Sequence, residues 1–486
     1  MREAKPANLL DSLIPVLSLI LMLALSVYLF GADSSSGPNQ IVLTLGAAIA
    51  AIVAIKNGHS WASILDAIVS GISTAMGAIL ILMSVGALIG TWLMAGTVPS
   101  LIYYGLELMN PQLFYAAACV ICCIASLAIG SSWTVAGTLG VALIGVALGL
   151  GLSAPIAAGA IVSGAYFGDK MSPLSDTTNL APAVAGTDLF THIRHMVWTT
   201  TPSIVLALIL FVIVGFGTDP KADDGSLASL TGTLDAVFNI TPMALIPLAV
   251  VFFMAYKKIP PLPTILFGAL LGGFLAMVLQ PQVVLDYADT PSLSHGLAMT
   301  KGVWMALYDG YVASTGVVEV DDLLSRGGMS SMLTTIWLVI TALSFGAVLE
   351  HGGMLNRLIE SALKSAKSTG ALVTTVVLSC IGINVIAADQ YIAIVLPGKM
   401  YKAEFARRGI EPKNLSRIIE DAGTLTSPLV PWNTCGAYMA AALGVATIAY
   451  LPFAFFNLIN PLVSIIYGFT GFTITRVTDD VVPAAR

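Results

Sequence analysis

Gly168-Asp-Lys-Met-Ser-Pro-Leu-Ser-Asp-Thr-Thr-Asn179 interrupts a long apolar stretch with three charges, several hydroxyls and a proline. A second interruption, Glu420-Asp-Ala-Gly-Thr-Leu-Thr-Ser-Pro-Leu-Val-Pro-Trp-Asn433, lies in equally apolar surroundings near the end of the chain. Proline removes a helical N–H donor and clashes with the preceding turn, so each break frees backbone carbonyls and amides. At membrane depth such backbone survives only where it lines a cavity or binds something. Two breaks, each furnished with carboxylates and hydroxyls, are what a secondary transporter needs for a cation site at the bilayer midplane.

Composition sets the class. With 57% hydrophobic residues, 10% charged residues and a mean hydropathy of +0.90, the chain cannot fold around one water-soluble core. It reads as an all-α polytopic membrane protein of 486 residues. The apolar run from Leu9 to Phe30 is too long for a signal-peptide core and lacks a small-residue cleavage site, so it reads as the first span. The net charge of −6 sits in loops and tips, and no basic, aromatic-interleaved patch points to nucleic acid. Cys119, Cys122, Cys123, Cys380 and Cys435 lie in apolar stretches without nearby histidines and read as membrane core.

Weak internal matches recur in one order. Leu13-Ile-Pro-Val16 returns as Leu245-Ile-Pro-Leu248, Trp61 and Asp66 as Trp304 and Asp309, and Ser84-Val-Gly-Ala87 as Ser344-Phe-Gly-Ala347. The pattern suggests a duplicated unit, residues 1–235 and 236–486, joined by the acidic segment Thr218 to Asp235 with Asp219, Asp223 and Asp224. Lysine and arginine stay preferentially on the cytoplasmic side. That rule places Arg2, Lys5, Lys56, Arg194, Lys257, Lys258, Arg357, Lys364, Lys367, Lys399, Lys402, Arg407, Arg408, Lys413, Arg417, Arg476 and Arg486 inside. Lys221, Lys301 and Arg326 fall outside, and Lys170 stays within the membrane. The two repeats are then inverted, both termini are cytoplasmic, and about ten spans are expected, with one amphipathic interfacial helix per repeat.

Two apolar arms per repeat fit poorly as full spans. Gln112 to Ile129 and Trp133 to Leu150 are separated by Gly130-Ser-Ser132, and Ala371 to Ala387 and Gln390 to Arg407 meet at Ala388-Asp389. Each pair reads as a re-entrant helical hairpin, and the segment after each as a broken helix. The candidate cation ligands are oxygens: Ser131, Ser132, Asp169, Ser172, Asp176, Thr177, Thr178 and Asn179 in the first half, and Asp389, Glu420, Asp421, Thr424, Ser427 and Asn433 in the second. Such a set suits Na⁺, a hard cation. Lys170 is expected to pair with Asp169 or Asp176, leaving Asp176 the firmer ligand. Asp389 and the adjacent Glu420 and Asp421 form the candidate proton side, because two neighbouring acids in low dielectric do not easily ionise together.

Gly168 to Ala181, Glu420-Asp-Ala-Gly-Thr424 and Ser427-Pro-Leu-Val-Pro-Trp-Asn433 resemble the NhaC-type Na⁺/H⁺ antiporters of the ion-transporter superfamily, over nearly the whole chain. The resemblance implies inverted repeats, paired hairpins and broken helices. It also implies a mobile transport domain, about residues 112–190 and 370–450, beside a scaffold, in a homodimer embedded in lipid of the cell inner membrane. Members of the same family exchange malate for lactate or move amino acids, and those alternatives stay open.

Electrostatics favours Na⁺ and H⁺ as the transported species. A dicarboxylate site calls for an arginine fork or a cluster of donors, whereas the tips and breaks hold mostly acids and no arginine. An intramembrane hydrolase is disfavoured, since His59, His192, His195, His295 and His351 fall near span ends rather than beside a serine nucleophile. No cofactor is expected. The expected mechanism is competition: a carboxylate withdrawn from water favours its protonated form and yields its proton when Na⁺ arrives.

Overall fold

A computed structural model describes residues 5–218 and 224–477. Arg2, Asp219, Lys221, Asp223 and Arg486, which enter the charge count and the linker above, lie outside the described residues. Within them the chain is helical, with only two isolated β-bridges, Tyr311 to Arg326 and Ile410 to Arg476. Among the described residues nine helices are long and apolar enough to cross a membrane, or up to eleven if each of two bent pairs counts as one span. The bent pairs are Leu227–Val237 with Pro242–Tyr256, at 87°, and Thr434–Leu443 with Thr447–Phe453, at 89°. Helices dominate because the hydrocarbon core offers no partner for backbone polar groups, which must therefore be satisfied within each segment.

Most expected boundaries are met within a residue or two. Leu9–Phe30 begins at Asn8, whose side chain accepts the Asp11 amide in a capping box. Met76–Met94, Phe114–Ile129, Thr369–Ile386 and Gln390–Arg407 all match the apolar runs. The apolar stretch from Ile156 to Phe190, expected from the sequence as one span broken at Pro173, is divided into Ala154–Met171 and Asp176–Ala185, and the following helix, expected over Val197 to Phe216, already starts at Leu189. Environments differ between arms. Only 28% of the Leu9–Phe30 window is buried by protein against 78% for Ser132–Gly149, so the latter is an inner element and the former a peripheral one.

Packing partners are exchanged between the halves. Pro38–Lys56 lies along Leu333–His351, and Pro261–Leu279 lies along Met76–Met94. Trp61–Thr74 rests on Leu333–His351 just as His295–Asp309 rests on Met76–Met94. The recurring pairs Trp61 with Trp304 and Ser84 with Ser344 fall on helices that take part in this exchange. Phe114–Ile129 packs along Ala154–Met171. A Cβ at Gly164 would stand 2.2 Å from the Cys119 carbonyl oxygen, and one at Gly168 2.2 Å from the Leu127 nitrogen. Small residues permit the close backbone approach on which membrane helix packing depends, and here it fixes the first hairpin against the first broken helix.

Candidate functional site at the hairpin tips and helix breaks

The first break is held by its own side chains. Ala154–Met171 stops at Ser172, and Asp176–Ala185 starts after Ser175. The Thr178 hydroxyl donates to the carbonyls of Asp169 at 2.8 Å and Lys170 at 2.9 Å, satisfying acceptors that the break leaves free. The Asn179 amide donates to the carbonyls of Pro173 and Ser175 at 3.0 and 2.7 Å. Asp169 turns toward the hairpin: its Oδ2 accepts from Ser132 Oγ at 2.5 Å and its Oδ1 from Ser175 Oγ at 2.6 Å. Gly130, at φ +78°, turns the tip where any Cβ would meet Leu174 and the Ser175 nitrogen within 2.9 Å.

The second break repeats this docking with different groups. Pro412–Ile419 runs into a π-turn at Glu420–Thr424, a 3₁₀ turn at Ser427–Leu429, and then Thr434–Leu443 capped by Asn433. At the hairpin tip Ala388 adopts φ +57°, which costs a non-glycine residue on the order of 1 kcal/mol. Its carbonyl accepts the Thr434 amide at 3.0 Å. Asp389 caps Gln390–Arg407 by accepting the Ile392 amide at 2.9 Å. Asn433 donates to Asn384, and Asn384 in turn donates to the Gly423 carbonyl at 2.7 Å. Carbonyls freed by the prolines are taken up by Tyr450, which donates to Pro428 at 2.5 Å, and by Asn457, which donates to Leu425 at 2.8 Å. Ser427 donates to the Thr424 carbonyl.

Both tips and the first break open on one cavity of about 1510 Å³, which the start of Thr434–Leu443, just past the second break, also reaches. Ser131, Ser132, Asp169, Asp176, Thr177 and Asn179 line it from the first half, and Asp389, Gln390, Tyr391, Thr434 and Cys435 from the second. Glu350, His351, Lys258 and Lys399 also line it. Among the described residues no three histidine, cysteine, aspartate or glutamate side chains converge on a point, so the cavity acids stand apart around the space. Asp176 is exposed to the cavity and makes no side-chain bond that the fold requires.

The remaining candidates lie behind this wall. Ser172, Thr178, Glu420, Asp421, Thr424, Ser427 and Asn433 are buried and do not line the cavity. Lys170 is paired with Asp421, both fully buried, not with Asp169 or Asp176. The reason is helical phase, since consecutive residues point about 100° apart. With Asp169 aimed at the hairpin tip, Lys170 is turned away from it, toward the second broken helix. Thr199 Oγ1 donates to the same Asp421 oxygen at 3.0 Å, and Asn460 Oδ1 lies 3.3 Å from Lys170 Nζ. Arg417, counted above among cytoplasmic loop cations, is fully buried with its Nε 3.8 Å from Asp421 and its Nη1 bonded to Thr473 at 2.7 Å. The five acids therefore divide into a cavity set, Asp169, Asp176 and Asp389, and a rear pair, Glu420 and Asp421.

Sequence reading passed over Ser175, Thr199, Glu350 and Asn460. Ser175 stood inside the quoted motif. Asn457, Asn460 and Ser464 recur at helical spacing in the otherwise apolar Phe455–Thr470, a polar stripe that marks an inward face.

Known proteins resemble the chain in sequence over most of its length. The chain is 39% identical over 89% of its length to the Na(+)/H(+) antiporter NhaC of Alkalihalophilus pseudofirmus, covering 90% of that protein. It is 38% identical, over the full length of both, to the malate-2H(+)/Na(+)-lactate antiporter of Bacillus subtilis. It is 36% identical over 95% of its length to the arginine/ornithine antiporter ArcD of Halobacterium salinarum, covering 92% of that protein. These relatives are antiporters rather than enzymes, and with the apolar helices they make the chain a multi-pass membrane antiporter. The sequence profile of the Na+/H+ antiporter family matches residues 164–472, which contain both helix breaks and the second hairpin, and the chain belongs to that family.

Proposed function

We propose that the chain exchanges Na⁺ for H⁺ across the cytoplasmic membrane by alternating access, with Asp176, Asp169 and Thr177 forming the cation-binding wall and Asp389 facing them. The observation that carries this reading is that two hairpin tips, the first helix break and the helix that follows the second break meet at one acid-lined cavity. Freed backbone and carboxylates at such a meeting point give oxygen ligands for a hard cation. Na⁺ and H⁺ compete: either one neutralises the acids, and the neutral assembly is the form able to move across the membrane. The reciprocal packing of the two halves supports inverted repeats, with residues 112–190 and 370–450 moving as the transport domain against the rest. Lys258, His351 and Lys399 in the cavity lining support an opening to the cytoplasmic side under the positive-inside rule. Both termini lie on that side, and the protein works as a homodimer in lipid.

A second reading draws on the size of the cavity. A space of about 1510 Å³ is far larger than Na⁺, and relatives named for malate, lactate, arginine and ornithine belong to the same family. Among the described residues, however, no arginine lines the cavity to hold a carboxylate bidentately, and its acids outnumber its lysines. Na⁺ is therefore the preferred substrate. Proteoliposomes loaded with a pH dye and pulsed with Na⁺, malate, lactate, arginine or ornithine test the choice: only Na⁺ should move protons.

A further inference from the structure

Two of the helix junctions differ in construction. Trp61–Thr74 joins Met76–Met94 through Ala75 alone, whereas His295–Asp309 joins Leu333–His351 through residues 310–332. The longer junction is laid into the protein. The Gly328 amide donates to the Gly86 carbonyl at 2.7 Å and the Met329 amide to the Leu307 carbonyl at 3.0 Å. Tyr311 and Arg326 exchange backbone bonds at 3.2 and 3.0 Å. Gly327 and Gly328, at φ +96° and +82°, let the chain lie on Met76–Met94, where a Cβ on Gly327 would stand 2.4 Å from the Gly90 nitrogen. Gly90 is close to the Met94 end of that helix, the end that the positive-inside reading puts outside.

This junction carries Arg326 to the far end of Thr434–Leu443, the helix that starts at the cavity with Thr434 and Cys435. A Cβ on Gly444, which ends that helix, would stand 3.4 Å from Arg326 Nη1. A helix of 10 residues is about 15 Å long, so the guanidinium stands well beyond the cavity wall. The fold leaves this cation without an anion. Its Nε and Nη2 are shut off from solvent and have no hydrogen-bond partner, and among the described residues no carboxylate pairs with it. Two acids of the same stretch are engaged elsewhere: Asp321 accepts the Thr315 amide at 2.6 Å and hydroxyl at 2.8 Å, and Asp309 accepts from Ser330 at 3.0 Å. A helix C-terminus attracts a cation. An arginine serving as a cap, however, would donate to the last carbonyls, and Nε and Nη2 donate to none.

Arginine stays ionised wherever it is placed, and an unpaired charge withdrawn from water is costly. At membrane depth a charge kept at such a cost marks a function. We propose that Arg326 is the charge barrier of the seal on the side away from the cavity mouth. Its unneutralised guanidinium repels Na⁺ and hydronium there, so cations leave the cavity only with the moving domain. Fixed positive groups in the constrictions of membrane pores exclude cations and protons by the same repulsion. The backbone bonds to Tyr311 and the close glycine packing hold the charge in place.

The proposal rests on the alternating-access reading above, and its test needs no Na⁺. Vesicles holding the purified protein in Na⁺-free buffer are given a potassium diffusion potential, and net proton uptake is read with an internal pH dye. An exchanger without its second ion carries no net proton, so the wild type should match protein-free vesicles. Arg326→Gln, which removes the charge, should raise uptake at least about tenfold, and Arg326→Lys, which keeps it, should stay tight. Equal uptake in Arg326→Gln and wild type overturns the proposal. So does an Arg326→Lys protein as leaky as Arg326→Gln, which would make shape rather than charge the seal. Thermal unfolding in detergent gives a second reading: Arg326→Gln should melt no lower than wild type, because it removes an unpaired charge. A lower melting temperature, or a variant that does not elute as a monodisperse species, shows a structural anchor and overturns the proposal. Na⁺-driven proton movement is measured in the same preparations. Its absence in the wild type sinks the Na⁺/H⁺ reading, while the Na⁺-free leak still decides on Arg326.

Discussion

Replacing Lys170 by Met leaves Asp421 as a charge stranded in the protein interior. Both partners are fully buried, and the remaining support for Asp421 is one hydroxyl at 3.0 Å and a guanidinium nitrogen at 3.8 Å. Removing one member of a buried pair costs about 3–5 kcal/mol, mostly the penalty of the unpaired survivor. Against a total stability of about 5–15 kcal/mol, that is a large share. Adding Asp421→Asn to the same protein removes the stranded charge and keeps a side chain able to bond Thr199, so the double variant should recover at least about half of the loss. The assay is thermal unfolding of the purified protein in detergent, in a cycle of wild type, both singles and the double. A Lys170→Met protein within about 1 kcal/mol of wild type, or a double variant no better than the single, would refute the claim that this pair is a structural ion pair.

Asp176→Asn should abolish Na⁺ exchange while expression is unchanged, because Asp176 faces the cavity and carries no part of the fold; wild-type Na⁺ affinity and turnover in reconstituted vesicles would exclude it as a ligand. Gly168→Ala places a Cβ 2.2 Å from the Leu127 nitrogen and should cost at least about 2 kcal/mol by prising the first hairpin from the broken helix, read as a lost monodisperse chromatographic peak. A cysteine introduced at Asp289 should react with an impermeant reagent from outside in a background without native cysteines, and ones at Lys258 and Lys364 should not; the reverse pattern would contradict the inverted repeats.

Much of this architecture was legible before any coordinates. Prolines in apolar sequence announced both breaks, and Gly130-Ser-Ser132 and Ala388-Asp389 announced the tips, because chain reversal at membrane depth needs residues that tolerate left-handed backbone or cap a new helix. What could not be read was direction. Asp169 and Lys170 are neighbours in sequence, so a pair with Asp169 or Asp176 was the natural expectation. Only the helical phase, combined with the place of the second broken helix, sends Lys170 to a residue 251 positions away. The same limit applied to Glu420 and Asp421, whose place at the break was legible but whose burial behind the cavity wall was not. Arg417 misled for a related reason: a cation near a span end reads as a loop residue, yet Thr473 and Asp421 draw it inward.

The central claim is that a Na⁺ gradient alone drives protons through this chain. In proteoliposomes holding the purified wild-type protein, with the membrane potential clamped, external Na⁺ should shift the internal pH. Asp176→Asn should be silent, and malate, lactate, arginine and ornithine should leave the signal flat. A pH shift that needs one of those organic substrates, or that persists unchanged in Asp176→Asn, would contradict the account.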